Sequence, residues 1–278
     1  MIFQKLARPL FLCFLVVVLY RAVLLGLAEQ YYENANYSHG FLIPLFSAYV
    51  IWLKRDQLAQ IEKRPSFFGF GLVLSSIGLL FLGSIGAEIF LTRISLIGVI
   101  AGLILYFLGK PSVRVLAFPL CYLFMMIPLP AIFFNRMVFP LQLLSSSFAT
   151  IFLQSLRVVP VLREGNLLIL PHCTLEIVEA CSGVRSLFSL LALALAYGYV
   201  AERVVAVRFL LALVMIPMAI AANGLRVVFT ALVAHYRGAQ TLDGWMHPAS
   251  SLMAFVVAVV LLLAFHAATT VARRRLTR

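Results

Sequence analysis

The chain has 278 residues, of which 63% are hydrophobic and only 12% are charged, and its formal net charge is +12. A soluble domain is about half apolar and about a quarter charged, so this composition excludes an ordinary soluble fold. Several apolar runs are long enough to cross a bilayer, which predicts an all-α polytopic membrane protein. The basic excess then indicates arginine and lysine held on the cytoplasmic side, and we expect no nucleic-acid partner.

The first apolar run follows Lys5 and Arg8 and is longer than a signal-peptide core, so we expect an uncleaved first span. In chain order, the candidate spans are residues 9–28, 38–53, 67–86, 92–109, 113–130, 138–156, 182–200, 207–234 and 249–271.

Basic residues cluster in alternate connections, which predicts that these connections are cytoplasmic. They hold fourteen of the chain's 22 lysines and arginines, namely Lys5, Arg8, Lys54, Arg55, Lys63, Arg64, Lys110, Arg114, Arg203, Arg208, Arg273, Arg274, Arg275 and Arg278. The chain must then cross only once between Lys110 and Arg157, by residues 113–130 or by residues 138–156. We prefer 113–130 as the span, with the more polar 138–156 as an interfacial helix. About eight transmembrane helices follow, in one integral membrane domain over 1–278.

Residues 157–180 break the helical pattern. The short β-type runs Val158–Leu162, Leu167–Leu170 and Thr174–Val178 are separated by turn-forming residues. An open sheet cannot lie in lipid, so these runs predict a small extracytoplasmic β-meander resting on the membrane.

The meander leads directly into Cys181, where a long apolar helix is predicted to begin. Arg185 follows four residues later, one helical turn along on the same face. The positive end of the helix dipole and a nearby guanidinium both favour the nucleophilic thiolate. The competing interpretation is a small buried cysteine beside an interfacial arginine.

Arg226 is predicted to lie inside the span 207–234, about eight residues or roughly 12 Å from its outer end. An arginine at such a depth is costly and is a functional candidate. Asn223, three residues earlier, lies on the same face. The structural alternative is an arginine that pairs with a carbonyl group or snorkels outward.

Histidines complete a chemically coherent set. A cysteine can attack a peptide carbonyl, a histidine can move the protons, and an arginine can stabilise the oxyanion. His247 begins the last span and is anchored by Pro248, whereas His235 ends the preceding span. His39 lies at the outer end of the second span, where it either contacts the site or caps a tight turn.

These residues resemble the exosortase/archaeosortase family of membrane cysteine enzymes, over about residues 36 to 260. The motifs that carry the resemblance are Glu179-Ala180-Cys181-Ser182-Gly183-Val184-Arg185-Ser186, Asn223-Gly224-Leu225-Arg226, His247, Leu162-Arg163-Glu164-Gly165-Asn166 and Tyr37-Ser38-His39-Gly40-Phe41-Leu42-Ile43-Pro44. Histidine at position 247 points to the bacterial exosortase branch.

The resemblance implies a protease or transpeptidase with Cys181, Arg226 and His247 as catalytic residues, acting at the periplasmic face of the bacterial inner membrane. We place Arg185, Asn223, His39 and Glu179 in supporting or substrate-binding roles, and expect no metal or other cofactor. The implied substrates are membrane-anchored proteins with a C-terminal Pro-Glu-Pro-like motif, a transmembrane helix and a basic tail. Membrane lipid is the other expected partner.

Two other functions stay open: a transporter whose substrate path includes Arg226, and a non-catalytic scaffold for exopolysaccharide or protein export. The sequence also leaves open the recognition motif, the acceptor, the oligomeric state, and whether Cys173, where glycine is common in the family, forms a disulfide.

Overall fold

The computed structural model describes residues 2–178, 181–242 and 244–276, without the side chains of residues 2–9, 239, 242, 247 and 276. The described residues form twelve α-helices and one three-stranded sheet. Two compact units divide the chain, Met1–Pro130 and Ala131–Arg278. The prediction of a single domain stays a prediction.

The first unit is helical. Its helices are α1 (Ile2–Leu19), α2 (Arg21–Glu33), α3 (Leu42–Leu53), α4 (Arg55–Gln60), α5 (Phe68–Ile85), α6 (Ile89–Leu108), α7 (Lys110–Val115) and α8 (Ala117–Tyr122), with 3₁₀ helices at Ala35–Phe41 and Leu123–Met126. A bend of 69° separates α1 from α2. Tyr20 lies at this bend, fully buried, with its hydroxyl 3.0 Å from the hydroxyl of Ser95 on α6.

The second unit contains the sheet and four longer helices. They are α9 (Ala131–Leu156), β1 (Leu162–Glu164), β2 (Leu167–Ile169), β3 (Thr174–Glu176), α10 (Val184–Ala201), α11 (Val205–Arg237) and α12 (Met246–Leu276). Helix α11 packs against α9, α10 and α12 and is therefore the central helix of this unit.

The all-α membrane class is confirmed, but the predicted count of eight spans is wrong for the described chain. Six helices are long and apolar enough to cross a bilayer, and a seventh span follows only if α1 and α2 count as one. A span needs about 20 apolar residues. Residues 38–53 provide only the 12-residue α3 after a 3₁₀ helix, and residues 113–130 are divided among the end of α7, α8 and a 3₁₀ helix.

The preference for 113–130 over 138–156 is wrong for the same reason, since the 26 residues of α9 pass the length and composition test. Most of the polar residues that favoured an interfacial helix face the protein interior instead. Gln142, Ser145, Ser146 and Thr150 are all buried. Ser145 and Ser146 have partners in segments distant along the chain, Asn223 and Gly165, so hydropathy alone could not place them.

The predicted β-meander is confirmed as an antiparallel sheet of order β1-β2-β3. Gly165, at φ +63°, and Asn166 form the two-residue turn between β1 and β2. Helix α9 holds this hairpin, because Ser146 Oγ donates to Gly165 O (2.9 Å) and Gln154 Nε2 donates to Val161 O (3.0 Å). The first strand begins later than predicted, at Leu162, and Val159 and Val161 before it are buried in the hydrophobic core.

Candidate functional site

Cys181 lies in a tight turn between the meander and α10. Its backbone N–H donates to Val178 O at 2.9 Å, and α10 begins three residues later, at Val184. The expectation that Cys181 and Arg185 share one helical face is therefore wrong: Arg185 is exposed in the first turn of α10, and Cys181 precedes the helix. Arg185 nevertheless lies close enough to Arg226 for the two positive charges to repel each other.

Gly183 separates Cys181 from the helix. Its φ of +82° is in the left-handed region, which favours glycine. A Cβ atom at this position would lie 2.6 Å from Asn223 Cγ. Both the backbone conformation and the close contact with α11 therefore favour glycine at position 183, where the cysteine turn ends.

Asn223 fixes the backbone of the turn. Its side-chain amide is buried, and Nδ2 donates both to Cys181 O (2.9 Å) and to Ser145 Oγ (2.8 Å). Three segments distant in sequence, α9, α11 and the cysteine turn, therefore meet at one amide group.

Arg226 lies one helical turn beyond Asn223 and is 3% exposed. Its Nη2 is 3.8 Å from Cys181 Sγ, within reach of a weak hydrogen bond to sulfur, and its Nε donates to Ser250 Oγ on α12 at 3.3 Å. A buried guanidinium thus lies directly beside the thiol, held in orientation by the neighbouring helix. This contact supplies the positive field that the sequence argument assigned to Arg185.

A small cavity of about 80 Å³ adjoins Cys181. Its walls are mostly apolar and come from the sheet, α11 and the start of α12: Leu168, Leu175, Glu176, Ile177, Val227, Thr230 and Met246. Because apolar walls exclude water, electrostatic interactions at this cysteine are stronger than at an open surface.

Three further residues were predicted for the site: His39, Glu179 and His247. His39 lies in the 3₁₀ helix Ala35–Phe41 of the first unit, where it hydrogen-bonds to the Met125 backbone. Glu179 lies outside the described residues. The backbone of His247 lies in the first turn of α12, close to the predicted helix start, but its side chain is outside the described part.

His235 occupies a different setting at the end of α11. Its ring stacks on that of His172, with centroids 5.3 Å apart and planes 22° apart. Its Nδ1 is buried without a hydrogen-bond partner among the described residues.

Two serines in contact with the site residues were missed by the sequence argument. Ser145 accepts from Asn223, and Ser250 accepts from Arg226. One signal was available for Ser250, since it follows His247 by three residues in a helix and so belongs to the same face. Ser145 had no such signal, because its segment was interpreted as interfacial.

The thiols of all four cysteines are free, so Cys173 forms no disulfide in this structure. Desolvation raises the pKa of the Cys173 thiol, which disfavours its thiolate. Among the described residues, no group of three or more His, Cys, Asp or Glu side chains could hold a metal ion.

The fold and the site define a polytopic helical membrane protein in which a partly buried cysteine lies beside a buried arginine. The family model described as transmembrane exosortase (Exosortase_EpsH) matches residues 31–264, and the chain belongs to this family. No curated protein and no solved structure gives a match.

Proposed function

We propose that the protein is a membrane cysteine peptidase or transpeptidase that cleaves the C-terminal sorting signal of exported proteins. The observation that carries this proposal is the 3.8 Å contact between Arg226 Nη2 and Cys181 Sγ. A structural cysteine in a membrane protein has no need of a buried cation beside its sulfur, and a buried arginine is costly to keep there. A nucleophilic thiolate has that need, because the cation stabilises its charge.

In the first step, Cys181 Sγ attacks the scissile carbonyl carbon, and the electrons of the C=O bond move to oxygen. His247 takes the thiol proton and returns it to the leaving amine as the C–N bond breaks, which leaves a thioester on Cys181. Water or an acceptor nucleophile then attacks the thioester, gives its proton to His247 and releases the cysteine.

Arg226 stabilises negative charge, first on the sulfur of Cys181 and then on the oxyanion. Asn223 positions the nucleophile through the Cys181 carbonyl group. Support for His247 comes from its place in α12, three residues before the Ser250 that contacts Arg226. That spacing puts both positions on one helical face.

The site is proposed to face the periplasm. The positive-inside distribution requires one crossing between Lys110 and Arg157, and α9 supplies it in place of residues 113–130. Glu164 in β1 is exposed and suits a test of this assignment. In a variant without native cysteines, Glu164→Cys should react with a membrane-impermeant maleimide in intact spheroplasts. Reaction only after permeabilisation would place the site on the cytoplasmic side.

The enzymatic assignment is tested with a reporter that carries a C-terminal Pro-Glu-Pro-like motif, an apolar helix and a basic tail. Wild-type enzyme should shorten the reporter, and Cys181→Ala should abolish shortening at an equal level of inserted protein. Cys173→Ala is the matched control, because Cys173 packs against the same hydrophobic core. Full processing by Cys181→Ala would contradict the proposal and favour a scaffold or a transporter.

A further inference from the structure

A second polar site lies in the first unit, formed by α2, the end of α5 and the start of α6. It is an open cleft of about 620 Å³, and Glu29, Glu33 and Arg93 are among its lining residues. This cleft lies where α5 ends and α6 begins, at the level at which a transmembrane hairpin reaches the membrane interface. Its residues have no part in the chemistry proposed for Cys181.

Arg93 is the unusual residue of the cleft. It is 7% exposed and lines the open cleft, and no hydrogen bond or ion pair joins its guanidinium to another described residue. Its electrostatic neighbours Tyr31 and Tyr37 are phenols, which are neutral near pH 7. A buried charge without a counter-ion is costly. An anion that entered the cleft would offset this cost.

The mouth of the cleft has the opposite charge. Glu29 and Glu33 are both exposed and lie four residues apart on one face of α2. A simple anion would be attracted by Arg93 and repelled by these carboxylates. The arrangement fits a zwitterion whose anionic group enters deeply and whose cationic group stays at the rim.

Apolar side chains beside the cleft indicate what carries this zwitterion. Leu25, Ile85 and Ile89 are 69%, 85% and 61% exposed, and Ile89 itself lines the cleft. Large exposed hydrophobic side chains at the end of a transmembrane hairpin are suited to acyl chains. A headgroup in the cleft would leave its acyl chains against this apolar surface.

We propose that this cleft is a binding site for a phospholipid whose headgroup joins a phosphate to a primary ammonium group. Arg93 binds the phosphate in bidentate fashion, and Glu29 and Glu33 bind the ammonium. A headgroup without an ammonium group cannot bind Glu29 and Glu33. A soluble zwitterion has no acyl chains to contact the apolar side chains.

The test uses full-length protein, delipidated in detergent, and native mass spectrometry of bound lipid. Phosphatidylethanolamine should bind about tenfold or more tightly than phosphatidylglycerol, the difference expected for one lost charge-assisted contact. Free phosphoethanolamine should compete weakly. Equal binding of the two lipids would overturn the proposal, and so would competition by free phosphoethanolamine as strong as that by the lipid.

Three variants assign the interactions. Arg93→Gln should weaken phosphatidylethanolamine binding about tenfold or more, whereas Arg21→Gln, an exposed arginine of α2 outside the cleft, should not. The double variant Glu29→Gln/Glu33→Gln changes only exposed residues, so it should fold normally and lose the preference for phosphatidylethanolamine. Unchanged lipid preference in the double variant would overturn the proposal even if Arg93→Gln failed to fold.

Discussion

The side-chain nitrogen of Asn223 lies 2.9 Å from the carbonyl oxygen of Cys181. The same nitrogen donates to Ser145 Oγ, so one buried amide connects α11 to the cysteine turn and to α9. The position of the thiol is therefore set by α11, which also carries Arg226. Cys181 is thus held by the helix that also carries Arg226, although 45 residues separate the two in the chain.

Asn223→Ala should reduce sorting-signal processing strongly, because it releases the turn that carries Cys181. It also leaves buried acceptors without a donor, which should lower the free energy of unfolding by about 1–3 kcal/mol. Ser145→Ala is the matched control, since it removes one acceptor and keeps the bond to Cys181. Reporter processing at equal protein level and thermal unfolding in detergent measure both effects. Equal activity losses in the two variants would contradict a positioning role for Asn223.

Arg226→Lys tests whether the fork of the guanidinium matters beyond its charge. Lysine keeps the charge but cannot hold Ser250 through Nε while directing Nη2 at the sulfur. We expect processing to fall about 100-fold or more, the effect of losing an oxyanion donor, with near-normal protein levels. Ser250→Ala should have a smaller effect, since it only loosens Arg226. Wild-type turnover in Arg226→Lys would mean that the arginine is structural.

The helical class, the meander and the Asn223–Arg226 face were predictable, because each rests on a local signal. Long apolar runs define spans, turn residues separate short strands, and a spacing of three residues in a helix defines a face. The place of α9 was not predictable in this way. Its serines and glutamines appear amphipathic in sequence, but their partners are Gly165, Val161 and Asn223.

The role of the cysteine's neighbours was predictable only in part. A cation near Cys181 was expected, but it was assigned to Arg185 because the helix was assumed to include the cysteine. The structure contradicts this assumption at Gly183, whose left-handed backbone favours glycine and whose contact with Asn223 leaves no room for a Cβ atom. The exclusion of a Cβ atom at Gly183 arises from packing between two segments, so the residue spacing within either segment does not reveal it.

Gly224→Ala should destabilise the α9–α11 contact. A Cβ atom at Gly224 would lie 2.3 Å from the ring of Phe148, so either the ring or the helix must move. Overpacking of this kind costs about 1–3 kcal/mol, which thermal unfolding of the purified protein would detect. A smaller ring neighbour should relieve the clash, so Phe148→Leu should recover part of the loss in the Gly224→Ala background. If the destabilising effects of the two substitutions simply add in the double variant, the contact between position 224 and Phe148 does not limit packing.

Glu202, between α10 and α11, should make stability depend on pH. The hydrogen bond from Arg273, followed by those from the Val204 and Arg203 backbone, lowers the pKa of Glu202 from 4.5 to about 2. A lowered carboxyl pKa stabilises the fold above the unfolded value, and this contribution is lost as pH falls through the folded value.

The melting temperature of wild type should therefore exceed that of Glu202→Gln by a constant amount above pH 4.5, and the difference should shrink toward pH 2. Glu164→Gln, which changes an exposed strand residue, should show no such trend. A wild-type advantage that persists unchanged to the lowest pH would mean that Glu202 is not held by these hydrogen bonds.

His247, and not His235, is expected to move protons at the site. The ring of His235 stacks on His172 at the end of α11, an arrangement that explains its presence through packing. His247 begins α12 on the helical face of Ser250, which contacts Arg226, and a proton shuttle must stay within hydrogen-bond reach of the thiol. His247→Ala should therefore abolish processing of the reporter, with unfolding behaviour close to wild type. His235→Ala should keep most activity while losing about 0.5–1.5 kcal/mol of stability with the stacked ring. Both variants are scored for reporter cleavage at matched expression. An inactive His235→Ala beside an active His247→Ala would reverse the assignment and identify His235 as the acid–base group.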